Sequence, residues 1–154
     1  MNLKTTDGKM RLTTDELHHK IKDATNVEDF LENNRQHLLK QTLPQHLQTL
    51  LKQKNLRRAD VVRGSLLDRA YVYQIFAGDK TPSRDKLVAI AFGLVLTADE
   101  TQAMLKLSGN RELYPRDERD ALILFTLQRQ GSILEVNDVL YKHKLELLGG
   151  VERE

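Results

Sequence analysis

The chain contains no cysteine and no tryptophan, and aromatic residues make up only 5% of its 154 residues. The lack of cysteine excludes a disulfide scaffold, a thiolate zinc site and a cysteine nucleophile. The scarcity of aromatics, together with 30% charged residues, is more typical of a helical than of a strand-rich protein. No apolar run reaches the roughly 18 residues of a membrane span, and residues 1–16 contain no apolar leader. We therefore expect a cytoplasmic protein that does not enter a membrane.

Basic residues are concentrated in the middle of the chain. The total charge is only +2, but residues 40–86 hold 10 basic and 4 acidic side chains, or +6. Residues 1–39 sum to −1 and residues 87–154 to −3. Any polyanionic partner is therefore expected to meet the middle segment.

Helix start and stop signals recur along the whole chain. Capping boxes, in which Ser or Thr is followed three residues later by Glu, open at Thr13, Thr97 and Ser132. Apolar residues between these signals follow the helical period. The pattern predicts an all-α fold of nine helices: 14–24, 27–40, 44–54, 58–64, 68–77, 83–92, 98–107, 116–130 and 133–147.

The predicted helix 116–130 is unusual, because its run from Ala121 to Phe125 is apolar nearly all round. Such a helix is expected to be buried on more than one side. Two interpretations are open: it lies in the intramolecular core, or at a dimer interface.

Two short predicted helices, 58–64 and 68–77, are joined by only three residues, Ser65-Leu66-Leu67. So short a link favours a steep angle between the two helices. Leu56, Ala59 and Val62, and then Val72, Ile75 and Phe76, fall on the inward faces. The outward face of the second helix presents Arg69, Ala70, Tyr73 and Gln74. Asp68 stands where an N-cap is expected.

Further sequence features follow at fixed spacings on either side of this helix pair. They are Leu47-x-x-Leu50, the run 55–62, the run 68–78, Lys80-Thr81-Pro82-Ser83, and Leu87-x-x-Ile90-Ala91-x-Gly93-Leu94. On these features, residues 44–108 resemble the lambda-repressor-like, Cro/XRE-type helix-turn-helix family of transcription regulators. The resemblance implies a five-helix DNA-binding core.

The sequence departs from the family pattern in three places. The glycine usual in the helix-helix turn is Leu66, and Gly64 lies two residues earlier. The small residue usual on the first motif helix is Val62. The Arg–Glu pair that many members carry is replaced by Leu51 and Phe76, and an apolar pair can replace a buried ion pair without loss of stability.

The resemblance implies sequence-specific binding of double-stranded DNA, with helix 68–77 in the major groove. A helix about 10–12 Å wide fits that groove, and a repressor is the expected role. The base contacts implied are those of Arg69, Ala70, Tyr73 and Gln74. The phosphate contacts implied are those of Arg57, Arg58, Lys80, Thr81, Ser83 and Arg84.

Three segments follow from this interpretation: an N-terminal helical extension (1–43), the helix-turn-helix domain (44–108) and a C-terminal helical hairpin (109–154). One motif contacts few phosphates, so we expect a homodimer on two half-sites roughly one helical turn apart. The flanking helices would mediate dimerisation or bind a protein partner. The alternative is an antitoxin-like or adaptor module of the same fold that lacks specific DNA binding.

Enzyme chemistry has little support in the sequence. His18 and His19, with Asp15 and Asp23, form a weak metal pattern on one helix face, for which a solvated polar face is the preferred interpretation. No glycine-rich phosphate loop is present. We therefore predict no catalytic residues, no metal site and no cofactor. A metal-dependent hydrolase is a third hypothesis.

Overall fold

The computed structural model describes residues 41–150 continuously. In residues 1–40 it describes only the strands β1 (Leu3–Lys4) and β2 (Met10–Arg11), and helical backbone at Thr14 and Val27. The two strands pair antiparallel, with Leu3 opposite Arg11, although the sequence predicted no regular structure there. The predicted helices 14–24 and 27–40 otherwise lie outside the described residues. The chain divides into two compact units, Met1–Lys40 and Gln41–Glu154.

Seven helices make up residues 41–150, and the prediction of an all-α fold is confirmed for this part of the chain. Most of their ends lie within two residues of the predicted ones. They are α1 (Leu43–Gln53), α2 (Arg58–Ser65), α3 (Arg69–Ala77), α4 (Arg84–Gly93), α5 (Ala98–Leu107), α6 (Glu118–Gln128) and α7 (Ile133–Lys142).

Side-chain caps explain why the helices begin where they do. The Thr97–Glu100 capping box is confirmed: Thr97 Oγ1 accepts from the Glu100 N–H, and Glu100 Oε1 accepts from the Thr97 N–H. A second box, between Thr42 and Gln45, opens α1. Such caps satisfy backbone donors that the first helical turn leaves without partners.

Helix α4 lies at the centre of the core. Every residue from Leu87 to Gly93 is buried, whereas α1, α3 and α7 each bury one face. Helix α2 approaches α4 closely at Gly64, where an added Cβ would lie only 2.8 Å from the Cα of Gly93. Val61 of α2 is fully buried in this contact, and Val62, predicted to face inward, is half-buried and packs against the core.

Two crossed ion pairs join α6 to the start of α4. Arg84 Nη2 lies 2.8 Å from Asp120 Oδ2, and Arg119 Nη1 lies 2.9 Å from Asp85 Oδ1. Because these pairs and the apolar packing span them, residues 44–108 and 109–150 belong to one compact unit. Residue 108 thus lies between two helices of a single core, and the core continues across it.

One prediction about the last helices is wrong. In the apolar run of α6, Ile123 is fully buried and Leu122 and Leu124 pack partly buried against the core, while Phe125 is 59% exposed, so both interpretations of this helix stay open. Helix α7 ends at Lys142 instead of residue 147, since Lys144 adopts a left-handed conformation with φ 60°. Residues 145–150 follow outside the helix, with Gly149 and Gly150 at φ 80° and 96°.

Candidate nucleic-acid interface

The turn between α2 and α3 consists of residues 66–68. Leu66 takes the left-handed conformation, with φ 60° and ψ 21°. The turn therefore has the left-handed backbone conformation that glycine adopts most readily, with leucine at that position. Leu67, which follows, is buried, and it anchors the turn in the core.

Asp68 begins α3, and its predicted role as N-cap is confirmed. Its Oδ2 accepts from the Tyr71 N–H at 3.3 Å. The inward residues of α3 are Val72, Ile75 and Phe76, all buried as predicted. This packing fixes the rotation of the helix about its axis. The side chains predicted to contact bases, those of Arg69, Ala70, Tyr73 and Gln74, are all exposed.

Two arginines lie over the ring of Tyr73. The guanidinium carbons of Arg58 and Arg69 lie 5.6 and 5.7 Å from the centre of its ring. Arg69 Nη1 also lies 3.4 Å from the Tyr73 hydroxyl. Within residues 41–150 no carboxylate pairs with Arg58 or Arg69. The ring thus holds two uncompensated positive charges at the exposed surface of α2 and α3.

The other arginines of α2 share one acidic residue. Asp60 Oδ2 accepts from the Arg57 backbone N–H at 2.8 Å, and Asp60 also pairs with the side chain of Arg63. The Arg57 side chain is 84% exposed, with its Nε 3.9 Å from Asp60. Arg57 therefore remains accessible to a phosphate, but its charge is partly offset where that of Arg58 is not.

The loop after α3 carries Lys80, Thr81 and Ser83. All three are exposed. Ser83 has a structural task as well, because its Oγ accepts from the Lys86 N–H as the N-cap of α4. Lys80 and Thr81 also line a cavity of about 240 Å³ against Pro44. Lys80 and Thr81 thus stay available for phosphate contact.

Arg84 does not have the predicted role of a phosphate contact. Its Nε donates to the Arg111 carbonyl and its Nη2 to the Glu112 carbonyl, in addition to the ion pair with Asp120. Only 16% of its side chain is exposed. Its donors are therefore used inside the protein, and the residue joins α4 to α6.

The structure adds a surface that the sequence interpretation missed. A groove of about 510 Å³ runs beside α1 and ends at Arg58. Leu51 and Leu56 contribute its apolar part. Its polar lining consists of Gln45, Gln48, Thr49, Lys52 and Arg58. We call it the α1 groove.

The spacing of the polar residues in α1 could have predicted this groove from the sequence. Positions 45, 48, 49 and 52 follow the i, i+3, i+4, i+7 pattern, so they share one face of α1, beside Leu51 and away from the buried Leu47 and Leu50. Within the described residues Lys52 has no ion-pair partner, whereas the nearby Lys54 pairs with Glu100 at 2.8 Å. The groove therefore places the Lys52 ammonium group near Arg58, while Gln48 Nε2 donates to the Phe76 carbonyl and Thr49 Oγ1 to the Gln45 carbonyl.

The weak metal pattern of the sequence, with His18 and His19, lies outside the described residues. Among the residues described, no group of three His, Asp or Glu side chains is placed to hold a metal ion. No helix in that part of the chain is long and apolar enough to span a bilayer.

His46 is the one titratable side chain of α1 with a perturbed environment. Burial lowers the pKa of its imidazole. Its Nδ1 lies 3.3 Å from Gln41 Oε1, and its Nε2 is buried without a partner. The lowered pKa favours the neutral form of the His46 imidazole, so His46 contributes little positive charge to α1.

Comparison of the chain with protein-family models, with curated proteins and with solved structures gives no match in any of the three.

Proposed function

We propose that this protein binds double-stranded DNA in a sequence-specific way, as a transcription regulator and in particular a repressor. Helix α3 would enter the major groove, with Arg69, Ala70, Tyr73 and Gln74 facing base edges. Arg58, Arg57, Lys80, Thr81 and Ser83 would contact the phosphate backbone. The fold would be the Cro/XRE-type core that residues 44–108 resemble.

The observation that carries the proposal is the Arg58–Tyr73–Arg69 cluster. Two exposed arginines held beside one ring present donors that a guanine edge or a phosphate can accept. Arg69 can donate two hydrogen bonds to guanine O6 and N7, and Gln74 can pair with adenine. The exposed face of α3 combines these donors with a small residue, Ala70, that permits close approach to a thymine methyl group.

Two bound half-sites would require a dimer, and the exposed apolar side chains of the last helices favour one. Leu134 and Tyr141, two turns apart on α7, are 67% and 74% exposed. Phe125 on α6 is also exposed. The same three residues support the second candidate function, an interaction module in which α6 and α7 bind a protein partner and α3 reads no DNA.

Selection of bound fragments from a genomic pool tests the proposal directly. The purified protein is incubated with fragmented genomic DNA at about 150 mM salt, where nonspecific binding is weak. We expect enrichment of a short sequence, repeated at about one helical turn if the protein is a dimer. Fragments no more enriched than random sequence would leave the interaction module as the better explanation.

The salt dependence of the enriched duplex adds a residue-level test. Arg58→Ala is expected to reduce the slope of log affinity against log salt by about one. Lys142→Ala, on α7 and paired with Asp138, is the matched loss of charge and should leave the slope unchanged. Equal slopes for Arg58→Ala and wild type would remove Arg58 from the interface.

A further inference from the structure

Residues 145–150, which we call the C-terminal strap, connect the end of α7 to the turn between α2 and α3. Asn137 on α7 fixes the strap through both of its amide atoms: Oδ1 accepts from the Leu148 N–H at 2.8 Å, and Nδ2 donates to the Leu148 carbonyl at 2.9 Å. Leu148 is buried. Arg119 Nε adds a hydrogen bond to the Glu146 carbonyl. The strap is therefore held by α6 and α7 along its length.

The end of the strap contacts the backbone of the α2–α3 turn. The Gly150 N–H donates to the Leu66 carbonyl at 2.8 Å, and Gly150 forms a parallel bridge with Leu67. Gly149 has φ +80°, and a Cβ there would lie 2.7 Å from the Ser65 carbonyl oxygen and 2.9 Å from the Leu66 Cβ. Only glycine combines that conformation with so close an approach.

The turn needs support from outside its own sequence. Leu66 occupies the left-handed region, which is unfavourable for a residue with a Cβ and persists only when the surroundings hold it. The Leu66 carbonyl finds its partner in the strap, and the Leu67 N–H finds one in the buried Ser65 hydroxyl at 3.3 Å. Two residues after Leu66, Asp68 begins the helix that carries the candidate base contacts.

We propose that the C-terminal strap positions α3 for DNA reading, with Gly149 and Gly150 as positioning residues. The strap takes over a task that a turn glycine would perform alone. This inference rests on the proposed function for its consequence in DNA binding. Its structural half, that the strap holds the α2–α3 turn and the start of α3, can be measured without DNA.

The test compares Gly149→Ala with Gly109→Ala in the full-length chain. The two glycines have nearly equal φ, +80° and +78°, but a Cβ at Gly109 meets nothing within 4 Å. Both substitutions therefore carry the same backbone cost, and only Gly149→Ala displaces the strap. Amide hydrogen exchange is measured at Gly150 and Leu67, which report on the turn, and at Val72, whose N–H makes the first backbone hydrogen bond of α3, to the Asp68 carbonyl.

For Gly149→Ala we expect exchange at these amides to rise about tenfold or more relative to Gly109→Ala, with amides of α4 unchanged. Affinity for the selected duplex should fall about tenfold, and affinity for random duplex by less than about threefold, because nonspecific binding depends on charge and not on helix orientation. Equal exchange in the two variants would overturn the proposal.

A second substitution guards against a general loss of folding. Adding Leu66→Gly makes the turn conformation favourable without the strap, so it should restore most of the specific affinity that Gly149→Ala loses. If Leu66→Gly restores none of it, the strap does not act through the turn. If the wild-type chain prefers no duplex, the proposed function fails, and the exchange comparison alone decides whether the strap holds the turn.

Discussion

Arg84 and Asp120 form a largely buried ion pair, with side chains 16% and 4% exposed and Nη2 2.8 Å from Oδ2. The pair connects the first residue of α4 to α6, across 36 positions of sequence. Asp120 also accepts from the Tyr114 N–H at 3.0 Å. The carboxylate thus ties three segments of the chain together next to the loop that carries Lys80 and Thr81.

Asp120→Asn is expected to lower the free energy of unfolding by about 3 kcal/mol at pH 7, because it leaves Arg84 without its counter-charge in a buried site. Urea denaturation followed by circular dichroism measures this. Asp138→Asn, in the exposed pair with Lys142, is the control and should cost less than about 0.5 kcal/mol. If both variants lose less than about 0.5 kcal/mol, the Arg84–Asp120 pair contributes little to the free energy of unfolding.

The same pair predicts an acid dependence. Burial alone would raise the pKa of Asp120, but hydrogen bonds from Arg84 and from the Tyr114 N–H outweigh it and hold the pKa below its ordinary value. The unfolded-state pKa is about 3.9, so the carboxylate stabilises the fold above that pH, and the contribution is lost as the pH falls through the folded-state pKa. The stability gap between wild type and Asp120→Asn should therefore narrow below about pH 4.

Gly64→Ala is expected to destabilise the protein, although a change from glycine to alanine within a helix usually stabilises it. In an exposed helix, alanine stabilises by up to about 1 kcal/mol over glycine. At Gly64 the new Cβ would lie 2.8 Å from the Gly93 Cα, so α2 and α4 must separate, at a cost of about 1–3 kcal/mol. A variant at least as stable as wild type in thermal denaturation would contradict this close contact.

Tyr73 is expected to act as a platform for two arginines. Tyr73→Phe keeps the ring faces that hold Arg58 and Arg69, so affinity for the selected duplex should change by less than about threefold. Tyr73→Ala removes the ring and should cost about 1–3 kcal/mol of specific binding. Fluorescence anisotropy with labelled duplex compares them. If Tyr73→Phe loses as much affinity as Tyr73→Ala, the hydroxyl matters, either by contacting DNA or by holding Arg69, whose Nη1 lies 3.4 Å from it.

The α1 groove yields a separate prediction for Lys52. If the groove receives a DNA phosphate, Lys52→Ala should reduce the salt slope by about one without altering base preference. Lys142→Ala again serves as the matched charge change. If Lys52→Ala has the same salt slope as the wild type, Lys52 and the α1 groove do not contact DNA. That result would not bear on the α3 surface.

Local signals of the sequence determined the helices and their caps. The caps at Asp68 and Thr97 and the apolar periodicity of α3 depend only on residues one or two helical turns apart. They can therefore be recognised without knowledge of the fold. For the same reason the exposure of Arg69, Ala70, Tyr73 and Gln74 follows from their place opposite Val72 and Ile75. DNA binding itself remains a prediction from that surface.

The tertiary structure alone decided the uses of Arg84, Phe125 and the C-terminal strap. The sequence predicted that Arg84 contacts a DNA phosphate, but its guanidinium group donates to Asp120 and to two backbone carbonyls. Phe125 belongs to an apolar run, yet it faces outward because Ile123 and Leu127 fill the core. Gly149 reaches the α2–α3 turn across more than 80 residues. No periodicity encodes such partners, because the chain brings them together only when its helices pack.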